Sequence, residues 1–176
     1  DRKLLQRGMT PEALSPLDRL CFVGGHGMGA LTYAPEIEGL TSRHQEDLDA
    51  IAHEVYQFQQ HHDDSFVDEL LTMNGSSAGA RPKIVVAREQ QDWIIKFPSS
   101  HDPQDIGPIE YAYHLMAKEA RLEVPTAKLF LSQKGPGYFG VQRFDVASDK
   151  RFHMHTVSGL LHADHRSPTL DYESIM

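Results

Sequence analysis

The segment NGSSAGARPKIVV at 74–86 sets glycines, serines and a lysine directly before a β-branched run, and Lys96 and Glu110 follow it in WIIKFP and PIEYAYHLMAKEA. A glycine-rich turn that leads into a strand presents backbone N–H groups to phosphate oxygens. A lysine on a nearby strand neutralises phosphate charge, and a carboxylate on the next helix holds that lysine in place. Glycine loop, strand lysine, helix glutamate and then a hairpin is the part order of a kinase small lobe. The loop is not a Walker A sequence. That motif needs G-x-x-x-x-G-K-[ST], whereas here Gly75 and Gly79 are followed by Lys83 four residues on.

Two other groups of residues offer rival chemistry. GGHGMGA at 24–30 contains G-x-G-x-x-A at Gly25, Gly27 and Ala30, nominally a dinucleotide fingerprint. The fingerprint binds pyrophosphate only where a helix starts in the loop, and here the strand-like ALTYAP follows, so the segment reads as a structural turn. Of eleven histidines, seven gather at 53–62 and 153–165. HMH at 153–155 with HADH at 162–165 has spacings that two ligands of one metal can use, but a zinc site needs a third ligand in a defined geometry, and this loop-like region has no H-E-x-x-H. The expected metal site is none. Cys21, the single cysteine, lies in the apolar run LCFV and reads as a small core residue.

The elements that must position Lys96 and Glu110 follow from pattern. PEALSPLDRLCFV reads as a short helix feeding a strand, and GGHGMGALTYAP as a turn and a short strand ended by Pro35. Thr41 and Ser42 precede a helix with Leu48, Ile51, Ala52, Val55 and Tyr56 on one face, and SFVDELLTM reads as a second helical run. KIVVA and DWIIKF are strands joined by the short connection REQQ. Residues 107–122 read as a helix, with Pro108 in its first turn and Ile109, Tyr113, Leu115 and Met116 as its apolar contacts. AKLFLS and YFGVQRF are two more strands joined by QKGPG, and beyond Asp145 the pattern is polar and irregular until TLDYESIM starts a helix. Short connections between consecutive strands make antiparallel pairs, so the expected class is α+β, with the sheet around residues 83–144.

Composition narrows the function classes. With 176 residues and 40% hydrophobic content the chain can bury one core, and no apolar run approaches 18 residues. A mean hydropathy of −0.44 agrees with a soluble, cytoplasmic protein and no membrane partner. A net charge of −8 disfavours direct coating of nucleic acid, which needs clustered Lys and Arg.

Five blocks in order, LSPLDRLCFVGGHGMGALTYAP, GSSAGARPKIVV, WIIKFPS, EYAYHLMAKEARLEVP and YFGVQRFDV, resemble the HipA family of serine/threonine kinases, the toxins of type II toxin–antitoxin modules. The resemblance implies a kinase-like small lobe with an antiparallel sheet and flanking helices, preceded by part of an N-terminal subdomain. In domain terms it implies the end of that subdomain over 1–40, the ATP-binding lobe over 41–145 and a connector over 146–176. It places the regulatory autophosphorylation on Ser76, with adjacent Ser77 as the other possibility. Ser77, Ala78, Gly79, Ala80 and Lys83 fall in the phosphate-contacting loop, Lys96 and Glu110 in the ATP-contacting lysine and its helix partner, and Gln142, Arg143 and Phe144 in the adenine hinge. Phosphate on Ser76 would repel the phosphates of ATP from the same loop.

The cofactors implied are ATP and Mg²⁺. The partners implied are a protein substrate, an aminoacyl-tRNA synthetase by resemblance, and a HipB-like helix-turn-helix antitoxin, with DNA reached only through that antitoxin. One departure stands out: the family's D-G-H-x-x-N segment and its magnesium aspartate have no counterpart here. The expectation is therefore a central fragment lacking the catalytic C-terminal lobe, with no catalytic residue of its own and no phosphoryl transfer alone. A non-catalytic module that binds an antitoxin is the alternative.

Overall fold

The structure is a computed structural model and describes residues 15–25, 27–37, 47–60, 81–147, 150–164 and 169–175. Helix α1 (Pro16–Val23) starts at a capping box: the Ser15 hydroxyl accepts the Asp18 N–H, and the Asp18 carboxylate accepts the Ser15 N–H. Pro16, at the first helical position, needs no N–H partner there. The expected strand at LCFV is absent because the helix runs through it to Val23, and the expected strand before Pro35 is an irregular segment instead. Tyr33 closes that segment by donating its N–H to the Gly24 carbonyl.

Strands β1 (Lys83–Arg88) and β2 (Gln91–Lys96) form the first hairpin. Glu89 and Gln90 both take left-handed backbone angles, as a two-residue hairpin turn that follows the strand twist requires. After α3 (Ile106–Glu119), strands β3 (Ala127–Phe130) and β4 (Tyr138–Gln142) complete an antiparallel sheet in the order β1-β2-β4-β3. The α+β class with an antiparallel sheet is thus observed. Register places Ile84, Val86, Trp93, Ile95, Phe130 and Tyr138 on one face, where they form the core with Phe97. Leu48 and Val55 of helix α2 (Leu48–Gln60) join this cluster, with Ile51 and Ala52 packed against it. Tyr56 is exposed and not part of that face. Thr41, Ser42 and SFVDELLTM lie outside the described residues.

A polar pin fixes α2 to the sheet. The buried Asp49 carboxylate accepts the Ser132 hydroxyl at 2.6 Å, the Tyr138 hydroxyl at 2.8 Å and the Gln133 N–H at 2.8 Å. These bonds hold the Asp49 carboxyl below its ordinary range.

The other face of the sheet carries α3, which touches β3 and β4. The approach is close at its first turn, where a side chain on Gly107 would stand 2.4 Å from the Gly137 carbonyl oxygen, so only glycine fits. Tyr113, Leu115 and Met116 are exposed, contrary to the pattern reading. The first turn of α3 and its Glu110–His114 side face the sheet instead, because a polar cluster and not an apolar stripe docks this helix. Arg121 ends the helix region in a left-handed conformation, with its N–H on the Lys118 carbonyl and Leu122 N–H on Ala117. Beyond β4, where irregular chain was expected, β5 (Val146–Ala147) and β6 (Lys150–Arg151) form a short antiparallel ladder. Two single-turn helices follow, α4 (Val157–Leu160) and α5 (Tyr172–Ile175). No helix among the described residues is long and apolar enough to cross a membrane.

Candidate functional site

Lys83 and Lys96 are direct cross-strand partners on the α3 side of the sheet. Like charges in that position repel, so the arrangement holds only if carboxylates compensate. Glu110, one turn into α3, supplies the first: its Oε2 accepts Lys96 Nζ at 2.9 Å. Asp102, in the turn after β2, supplies the second. It accepts the Ser99 N–H at 2.8 Å and the Ser99 hydroxyl at 2.7 Å, and receives Arg81 through a two-point fork, Nε and Nη2 each at 2.8 Å. Arg81 Nη1 also donates to Glu110 Oε1. The Lys96 ammonium sits 5.2 Å from the centre of the Phe139 ring, and His114 of α3 packs against the same ring.

Among the described residues, three cations, Arg81, Lys83 and Lys96, thus meet two carboxylates, Asp102 and Glu110. The Arg81 fork and the Ser99 bonds hold the Asp102 carboxyl far below its ordinary range, and the same fork raises the Arg81 guanidinium. Burial pushes the Lys83 ammonium down, and Lys96 opposite it adds to that shift. Arg81 and Lys96 are each about one-third exposed, so a solute reaches them.

The expected pairing of Lys96 with Glu110 is therefore a direct contact, and Lys83 lies beside it. Ser76, Ser77, Ala78, Gly79 and Ala80 lie outside the described residues. Arg81 and Asp102 were not anticipated; the signal for them was an arginine two residues before Lys83 and the S-x-x-D spacing of Ser99 and Asp102. In the segment expected to form the hinge, Gln142 and Arg143 donate their N–H groups to the Thr126 and Asp92 carbonyls. Phe144 has an exposed side chain, and the Gln142 amide bonds Gln91.

The Arg143 side chain points elsewhere. Its Nε and Nη2 grip both oxygens of Asp145, at 2.8 and 2.9 Å, and Nη2 also donates to the Gly27 carbonyl. Arg151 donates to the carbonyls of Gly25, Gly27 and Gly29, while the Gly29 N–H donates to Asp145 Oδ2 at 2.7 Å. Burial raises the Asp145 carboxyl, but the bonds from Arg143 and Gly29 outweigh it and the net shift is downward. The loop at 24–30 thus turns carbonyls toward guanidinium groups, and a carboxylate already occupies its Gly29 N–H. Its described contacts are those of a structural turn. Among the described residues no group of three His, Cys, Asp or Glu side chains is placed to hold a metal; His153 and His155 pack ring to ring.

A family model for the HipA-like C-terminal domain matches residues 75–176. No curated protein matches the chain, and no solved structure does. The matched span starts in the glycine-rich segment before β1 and takes in four of the five blocks that carry the resemblance, together with every member of the cation cluster. With more than half of its length inside that match, the chain belongs to the HipA family.

Proposed function

We propose that this chain is the ATP-binding portion of a HipA-like serine/threonine protein kinase toxin. The observation that carries the reading is the Lys96–Glu110 contact on the strand and helix that follow a glycine-rich segment, set in a cluster where cations outnumber carboxylates. A lysine held by a helix glutamate is the means by which kinases present an ammonium to ATP phosphates. The cluster's charge suits polyphosphate. It does not suit Mg²⁺, because both carboxylates are already engaged by guanidinium and ammonium groups, so the metal would take its ligands from elsewhere. In this reading Lys83 and Lys96 bind phosphate, Glu110 orients Lys96, and the Gln142–Phe144 backbone meets adenine. Ser76 carries the inhibitory phosphate, and a protein substrate such as an aminoacyl-tRNA synthetase accepts phosphate from ATP. A HipB-like antitoxin restrains the enzyme.

The test joins binding and labelling. ATP titration of the chain and of Lys96→Met should show at least a roughly 10-fold weaker affinity in the variant, the value of one charge-assisted contact. Intact mass of the full protein after incubation with ATP and Mg²⁺ should rise by one phosphate, and Ser76→Ala should abolish the rise. No ATP binding and no mass gain would replace this reading by a non-catalytic module that docks an antitoxin.

A further inference from the structure

Glu110 is shared by two cations that are anchored very differently. Lys96 reaches Oε2 on a flexible stem, at 2.9 Å, with its side chain about one-third exposed. Arg81 faces Oε1, and its position does not depend on Glu110: two of its nitrogens are already forked onto Asp102, which Ser99 holds through its N–H and its hydroxyl. A planar guanidinium fixed at one edge presents its remaining N–H groups in a set direction, which an ammonium does not do.

This asymmetry bears on what happens when an anion takes Lys96. Were Lys96 the sole partner of Glu110, its departure would leave a largely buried carboxylate without a compensating charge, and that penalty would weaken the ligand's binding. With Arg81 in place the carboxylate keeps a charged donor throughout. We infer that Arg81 is a positioning residue that holds Glu110 so that Lys96 is released to a phosphate group of the ligand, an inference that rests on the ATP reading above. A purely structural Arg81 would act only as a staple between the start of β1 and the turn after β2.

The two roles separate in a double-mutant cycle read by ATP affinity. Wild-type chain, Arg81→Gln, Lys96→Met and the double variant are titrated with ATP, with thermal melts to establish folding. Acting through Lys96, Arg81→Gln weakens ATP binding about 10-fold in the wild-type background and less than about twofold in the Lys96→Met background. Equal losses in both backgrounds, or no loss in either, would overturn the inference while leaving ATP binding intact. A wild-type chain that binds no ATP, or one whose affinity Lys96→Met leaves unchanged, would instead overturn the reading beneath it and the inference with it. If Arg81→Gln does not fold, Arg81→Lys takes its place in the same cycle. It keeps one charge without the fork, and the expected loss is smaller but again confined to the background that retains Lys96.

Discussion

Two arginine–aspartate clusters stand among the described residues, and they are satisfied to different degrees. Around the glycine turn, Arg143 and Asp145 are 5% and 0% exposed, and with Arg151 they close onto the carbonyls and an N–H of Gly25, Gly27 and Gly29. At the start of β1, Arg81 and Asp102 make an equally good fork, and among the described residues they border Lys83, Lys96 and Glu110. The first cluster has used its hydrogen-bonding capacity internally and is a clasp. The second leaves Arg81 and Lys96 each about one-third exposed, so its cations stay open to solvent. Residue type alone does not separate structure from chemistry; the balance of donors and acceptors does.

The contrast can be put under strain by mutation. Asp145→Ala should have the largest effect, because it strands a buried guanidinium: about 3–5 kcal/mol of unfolding free energy should be lost, measured by denaturant titration. A loss below 1 kcal/mol would mean that the clasp is not closed as described. Asp102 should show itself through pH. Its folded carboxyl lies below its unfolded value of about 3.9, so its stabilisation is present above roughly pH 4 and is lost as pH falls below it. Acid unfolding of Asp102→Asn should therefore be shallower across that range than that of the parent, and parallel curves would contradict the assignment. The smallest effect is expected outside both clusters. Glu89, 72% exposed, meets Lys128 at 2.8 Å across the hairpin end, and Glu89→Ala should cost no more than about 1 kcal/mol in the same titration.

Much of the fold was legible wherever pattern is local. The strands at 83–88, 91–96 and 138–142 announced themselves by β-branched and aromatic alternation, and the helix from Ile106 by its proline and its length. Pattern failed at LCFV, where four apolar residues fit a strand or a helix equally well and the Ser15–Pro16 cap decided for the helix. It failed again on α3, where Tyr113, Leu115 and Met116 looked like the packing face while Glu110 and Gly107 make the approach to the sheet. The Lys96–Glu110 pair was readable because both residues belong to a known order of parts. Arg81 and Asp102 were not, since their contact crosses 21 residues and neither belongs to a periodic pattern.

Amino-acid order was enough to specify which segments become strands and helices, that consecutive strands pair antiparallel, and that a strand lysine is followed by a glutamate in the first turns of the next helix. These follow from sterics and periodicity within a few residues of each position. Packing was needed to insert β4 between β2 and β3, to give Glu110 two cationic partners, and to turn the Arg143 side chain toward the glycine loop, whose Gly29 N–H meets Asp145 across 116 residues. Contacts at that separation form only where buried polar groups find their partners after the chain has closed, and no local preference encodes which partner that is.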